Sequence, residues 1–319
     1  MRIHFVGPHP DTFISGGNSY NRSLIRALEQ EGCEVLLTDM PSKGLDGFSL
    51  IDSIEFAKLT PHQIPEQCIS LLHHLPSLYP GPAFLFAECE KPILDSFTYH
   101  IVTSRFMVDF MISKGYSSSR IVCLEPVVKE LNVQQSETTP KVNAIMLNNV
   151  IPRKGVLDFL LALAEQRLPP VYRITVVGDL EMDMQYASKC TDLVRSDKNL
   201  SRTVRFTGTQ DNGSVRRLMS RSNLFISASH FETFGMSIQE ASVSGVPLIV
   251  FSGGNTDRHV SEGINGHVHT THMGMARQIE RFIDHPEEFI ELHKSAQKYT
   301  HDYARSWSDH AKKICQLLI

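Results

Sequence analysis

The stretch Phe231-Glu-Thr-Phe-Gly-Met-Ser-Ile-Gln-Glu-Ala-Ser-Val-Ser-Gly-Val-Pro-Leu-Ile-Val250 decides the fold of this 319-residue chain. On its left, Leu224-Phe225-Ile226 is a short apolar run that suits a buried strand, and Val246–Phe251 reads as a second one. Between them Met236–Ser244 reads as a helix, entered at Gly235 and stopped at Gly245. The unit is therefore strand, loop, helix, strand, with the helix N-terminus directed at the loop Glu232-Thr233-Phe234-Gly235. Backbone N–H groups without an intrahelical acceptor cluster at such a terminus and attract phosphate. Two carboxylates flank it, Glu232 before the helix and Glu240 within it.

Working outward, the same pattern recurs twice. At the N-terminus, strand Ile3–Val6 runs into a loop from Gly7 to Gly17, helix Asn18–Glu31 and strand Cys33–Leu37, a βαβ opening that implies a parallel sheet. The Gly16-Gly17 pair lets backbone approach a ligand, but the loop lacks the Gly-x-Gly-x-x-Gly of dinucleotide sites. In the second half, strand Asn143–Leu147 leads through Asn148-Asn149-Val150-Ile151-Pro152-Arg153-Lys154-Gly155 into helix Val156–Glu165. Strands are also expected at Ile69–His74, Ala83–Ala87, Ile101–Val102, Ile121–Leu124, Arg173–Val177 and Val204–Thr209. A helix capped at Thr103, a helix Val215–Ser222 and a helical tail from Met275 complete the reading, and residues 38–66 give no clear pattern.

The string Glu232, seven residues, Glu240, with Phe-Gly inside and Glu-Ala-x-x-x-Gly-x-Pro closing it, resembles the nucleotide-sugar signature of retaining glycosyltransferases of family 4. The resemblance implies a GT-B fold, α/β, with two Rossmann-like domains whose parallel sheets face across a cleft. It implies an acceptor-side domain over residues 1–130, a donor domain over 141–303, and a terminal helix over 304–319 packing back on the first, with Trp307 as its anchor. The run Gln134–Pro140 is the expected linker. It gives Glu240 the ribose hydroxyls, Glu232 the donor sugar, and the amides of Phe234, Gly235 and Met236 the phosphate and sugar. Gly16 and Gly17 would face the diphosphate, Arg153 and Lys154 would neutralise it, and Thr209 would lie near the base. The family's histidine near the donor sugar falls on His74, with His73 beside it. Glu232 and His74 are thus the expected catalytic residues, brought together when the cleft closes. One position departs: Asn149 stands where the family has arginine.

The implied reaction moves a sugar from a nucleotide diphosphate, a UDP-sugar by preference, to a hydroxyl with retention at the anomeric carbon. The implied acceptor is lipid-linked or an oligosaccharide, and the expected location, from the scattered cysteines, is the cytoplasm, at the inner face of the membrane for a lipid-linked acceptor. Two alternatives stay open, a binding-only relative of the same fold and another Rossmann-type sugar-nucleotide enzyme. No cofactor and no metal are expected. Asp-x-Asp is absent, and His267, His269 and His272 have no evident carboxylate or thiolate to complete a ligand set.

Composition narrows the rest. Thirty-five acidic against 31 basic residues give a net charge of −4, which excludes an overall basic footprint for nucleic acid. Hydrophobic residues at 41% suffice for two cores. Six scattered cysteines without a Cys-x-x-Cys pair favour reduced thiols over disulfides or zinc.

Overall fold

The computed structural model describes residues 1–9, 15–41, 43–44, 46–78, 87–127, 141–299, 303 and 306–318, with 87–89 by backbone only. The expected linker Gln134–Pro140 and most of the expected strand Ala83–Ala87 lie outside these residues. The chain divides into two compact units, Met1–Val127 with Tyr303–Ile319, and Val128–Asp302.

In the first unit, β1 (Arg2–Val6), α1 (Gly16–Gln30), β2 (Glu34–Thr38), β3 (Phe48–Asp52), β4 (Cys68–Leu72), α2 (Ala87–Asp95), β5 (Tyr99–Val102), α3 (Arg105–Ser113) and β6 (Ile121–Cys123) follow one another. The six strands form one sheet in the order β2-β1-β3-β4-β5-β6, and every pairing is parallel. Strand β3 was not legible in the sequence. It pairs with β1 through Ile3–Phe48 and Phe5–Leu50, and its last four residues are buried. The helix expected from Thr103 is capped instead by Ser104, whose hydroxyl accepts from the Met107 N–H at 3.2 Å. Helix α1 is capped by Ser15, and Tyr20, Leu24 and Leu28 bury one of its faces.

The second unit runs β7 (Asn143–Leu147), α4 (Val156–Gln166), β8 (Arg173–Val177), α5 (Met184–Ser196), α6 (Leu200–Thr203), β9 (Val204–Phe206), α7 (Asn212–Ser220), β10 (Leu224–Ser227), α8 (Met236–Val243), β11 (Leu248–Phe251), β12 (Gly266–His269), α9 (His272–Asp284) and α10 (Pro286–Lys298). Its parallel sheet has the order β12-β11-β10-β7-β8-β9. Helices α4 and α9 cover the sheet with Phe159, Leu160 and Leu163 against Met275, Ile279 and Phe282, all at most 1% exposed. Burying each such side chain contributes about 1.5–3 kcal/mol. The final helix α11 (Trp307–Leu317) belongs to the first unit. Its Ala311 and Ile314 join the core of α1, Trp307 meets Tyr20 edge-on at 4.9 Å, and His310 donates to the Glu125 carbonyl at 2.7 Å.

Strand order locates the useful loops. The order in which successive strands are added across the sheet reverses between β1 and β3 in the first sheet and between β7 and β10 in the second. Ligands of doubly wound sheets collect beyond the strand ends at such points.

Candidate functional site

Beyond the β7–β10 switch point, two loops meet. The loop after β7 makes a 3₁₀ turn over Pro152–Lys154 and leaves it at Gly155, which holds φ +63°. A Cβ there would stand 2.1 Å from the Ala228 carbonyl oxygen, so only glycine lets the Lys154 loop lie against the segment after β10. The two backbones are tied by the His230 N–H donating to the Arg153 carbonyl at 3.0 Å.

This close approach joins the Lys154 ammonium to the Glu232 carboxylate in a short hydrogen-bonded ion pair, with the two side chains 15% and 14% exposed. Burial alone would raise the Glu232 carboxyl, but Lys154 and Arg153 overcome it and hold it below the usual glutamate range. Burial pushes the Lys154 ammonium down, and Glu232 opposes that shift. Arg153 is exposed, and its charge acts on both members of the pair.

The backbone of Glu232 is fixed from the other side. Its N–H donates to the Gly253 carbonyl at 3.2 Å, and its carbonyl accepts from the Asn255 N–H at 2.8 Å. These contacts extend the parallel register of β10 and β11 into the loops. The Phe234 carbonyl accepts from Asn255 Nδ2 at 3.0 Å and from His259 Nε2 at 2.5 Å, while the Phe234 ring is buried edge-on to His259. Phe234 therefore offers main chain rather than side chain. Gly235 takes φ +94° and starts α8, so the first amides of Met236–Val243 face out of the helix end. The Gly253–Asn255 loop and His259, which hold this turn, were not assigned a role from sequence. The signal was there in Ser252-Gly253-Gly254-Asn255, a Gly-rich loop at the end of β11 that leads into a 3₁₀ turn over Thr256–His259.

Glu240 lies in the second turn of α8. Burial raises its carboxyl to about 7, and Arg216 opposes the shift. A carboxylate binds a sugar diol best when ionised, so nucleotide affinity is expected to fall as pH drops below about 7 and to level off above it. Glu240→Ala is expected to weaken UDP binding at least about tenfold and to flatten that pH dependence, because each charge-assisted hydrogen bond is worth about 1.5–3 kcal/mol. Calorimetric titration of UDP from pH 5.5 to 8.5 checks both. Equal affinities for the two proteins would remove Glu240 from the site.

The remaining sequence-derived positions fall as follows. Thr209 is exposed beyond β9, next to Gly208. Asn149 is half-buried, and its Oδ1 accepts from the Asp179 N–H at 3.3 Å, so it serves the loop rather than presenting a charge. In the first unit Gly16 and Gly17 form the first residues of α1, and a Cβ on Gly17 would lie 3.7 Å from the His73 ring. His73 and His74 point differently. His73 Nε2 lies 2.7 Å from Asn21 Oδ1, Asn21 in turn donates to Asp52 at 2.7 Å, and burial lowers the imidazole pKa with Asp52 opposing. His74 is exposed.

The histidine reading of β12 needs correction. The turn Gly263–Asn265 brings Glu262 back beside the strand, and its Oε1 lies 2.6 Å from His267 Nδ1. A carboxylate does therefore accompany that histidine. His272 belongs to a different group, with Asp158 and His230.

Two Rossmann-like units, each built on a six-stranded all-parallel sheet with helical flanks, give the chain the GT-B fold of glycosyltransferases. Residues 128–302 match the family of glycosyl transferases group 1, more than half of the chain, and the chain belongs to that family. It is 24% identical over 208 residues to the alpha-monoglucosyldiacylglycerol synthase of Acholeplasma laidlawii, covering 65% of this chain and 49% of that protein. It is 28% identical over 130 residues to the sucrose synthase of Thermosynechococcus vestitus, covering 37% of this chain and 16% of that one. The chain thus spans half or less of the length of these curated relatives. Among solved structures, the sucrose-phosphate synthase of Thermosynechococcus elongatus superposes with a TM-score of 0.75 at 16% identity, over 99% of this chain and 98% of that one. Anabaena HepE in complex with UDP-glucose gives 0.75 at 16% identity over the whole of both chains. At such identity these likenesses bear on the fold. No helix among the described residues is long and apolar enough to cross a membrane.

Proposed function

We propose that the chain transfers a sugar from a nucleoside diphosphate donor, a UDP-sugar, to a hydroxyl acceptor with retention of anomeric configuration, in polysaccharide or glycoconjugate synthesis. The observation that carries this reading is the part-buried Lys154–Glu232 pair set beside the N-terminus of α8, with Glu240 one turn into that helix. A pre-placed cation, outward amides and two carboxylates in distinct protonation environments suit a polyanion joined to a polyol. HepE, of similar fold, is described with UDP-glucose bound.

In this reading the bond between the anomeric carbon and the β-phosphate oxygen breaks, and its electron pair stays on the phosphate. Lys154, Arg153 and the amides near Gly235, all in the second unit, take up that charge without reorganising. The acceptor oxygen joins the anomeric carbon on the same face, and its proton passes to the leaving phosphate. Glu232 and His74 stabilise the positive charge that grows on the sugar, as a carboxylate does in glycoside hydrolysis. Glu240 holds the ribose, and Thr209 lies near the base. The acceptor class is lipid-linked or an oligosaccharide.

Since cation and amides are supplied by the chain, turnover is expected to survive EDTA. Complete loss in EDTA, restored by Mg²⁺ or Mn²⁺, would count against this mechanism. The function itself is tested by incubating the protein with UDP-, ADP- and GDP-sugars and a mixture of glycolipid and oligosaccharide acceptors, and measuring nucleotide release and glycosylated product. One donor consumed only with acceptor present is the expected result. The neutral Asn149, committed to the Asp179 backbone, favours a second reading in which donor is bound but not turned over. Tight UDP-sugar binding without product in this screen would select it.

A further inference from the structure

We propose that Asp158, His230 and His272 form a binding site for a divalent d-block cation of the zinc, cobalt or nickel type. One ligand atom from each residue lies within 4.8 Å of the others. They come from three elements of one unit: the first turn of α4, the segment after β10, and the start of α9. None of them is among the donor-binding positions, and the site is independent of the proposed reaction.

The geometry is already close to that of a site. His230 Nε2 lies 2.9 Å from Asp158 Oδ2. Two ligand atoms of a tetrahedral ion, each about 2.0–2.2 Å from it, stand about 3.4 Å apart, so this hydrogen-bonded pair would open by about half an ångström to admit one. His272 Nε2 lies 3.0 Å from the Ala228 carbonyl, which only accepts, so that nitrogen carries the hydrogen and Nδ1 keeps its lone pair. Metal-ligating histidines characteristically anchor their second N–H in this way. Packing sets the rings independently of any ion: His272 stacks on Phe251 at 4.5 Å and 16°, and His230 stands edge-on to both rings at 5.5 and 5.1 Å. Two imidazoles with one carboxylate suit borderline ions, whereas Mg²⁺ and Ca²⁺ prefer oxygen ligands. On binding, the ion takes the place of the hydrogen between His230 Nε2 and Asp158 Oδ2, and the neutral imidazole carries its one N–H on Nδ1 instead.

Such an ion would clip together the two loops that carry Lys154 and Glu232, because Asp158 follows one, His230 precedes the other, and their backbones already bond through Arg153. Its effect is on stability rather than on the reacting atoms.

The test is titration of the full-length protein with Co²⁺, followed by its visible d–d absorption, together with thermal denaturation in Zn²⁺. One equivalent is expected to bind, and Zn²⁺ at a hundredfold excess over Kd is expected to raise Tm by about 5 °C or more. His230→Ala and Asp158→Asn are each expected to weaken Co²⁺ binding at least tenfold and to remove the Zn²⁺ shift. Both side chains are more than 40% exposed, so the fold should persist, and circular dichroism checks it. The double variant His267→Ala/His269→Ala is expected to bind as the wild type does. Absent binding, binding that survives both single variants, or binding lost with His267 and His269 would each overturn the assignment.

Discussion

Glu232→Ala is expected to lower kcat by about 10² or more while leaving donor KM within a fewfold of wild type. The carboxylate is held ionised by Lys154 and Arg153 against the cost of its burial. Its backbone is pinned on both sides, by Gly253 and Asn255. A fixed charge of this kind costs no reorganisation when positive charge develops at the sugar, and removing one preorganised contact typically costs about 10²–10³ in rate. Because that charge exists mainly in the transition state, the loss belongs in kcat rather than in KM. The measurement is steady-state kinetics with the donor found in the screen, paired with UDP titration. A variant that loses donor affinity and kcat in equal measure would instead make Glu232 a ground-state binding residue.

Lys154→Ala is expected to act on both stability and binding. It leaves Glu232 buried without its nearest cation, and removing one partner of a buried pair costs about 3–5 kcal/mol. With the pair about 15% exposed, the lower figure applies, a fall in Tm of roughly 6–12 °C for a unit of this size. UDP affinity should drop more than tenfold if Lys154 meets the diphosphate as proposed, since a charge-assisted contact is then also lost. The pH dependence has a definite sign. Glu232 is held below its ordinary pKa, so the pair's contribution is complete above the usual glutamate range and fades as pH falls through the depressed value. Wild type and variant should therefore converge in acid. Thermal melts from pH 8 down to about 2.5 check this. The double variant Lys154→Met/Glu232→Leu, which removes both charges, should recover most of the lost stability and none of the binding. An unchanged Tm and UDP affinity in Lys154→Ala would mean that the ion pair is incidental.

The parts of this arrangement that were legible in the sequence are local. Strand β7 and the helix from Met236 announce themselves through apolar runs closed by glycine, and the spacing of Glu232 and Glu240 is a property of one strand–helix unit. What was not legible depends on distance or on direction. Lys154 and Glu232 are 78 residues apart, and only the adjacency of β7 and β10 brings them together. The group of Asp158, His230 and His272 was missed for the same reason. His73 and His74 are neighbours on a chain leaving β4, where successive side chains turn to opposite sides, and sequence alone does not say which one turns inward. Strand β3 follows directly on Gly47 and runs straight into a 3₁₀ turn over Ser53–Lys58, so its five residues present no clean period. Helix α5 is largely polar, with only Ala187, Cys190 and Val194 buried, which gives too narrow a stripe to read.

The most direct test of the central claim is a proton NMR time course of the wild-type protein with an α-linked UDP-sugar and the acceptor selected by the screen, following the anomeric signals of donor and product. Conversion of the donor into an α-glycoside at the rate of UDP release is the expected result. A β-linked product, or a donor that stays intact while the folded protein binds it, would contradict the account.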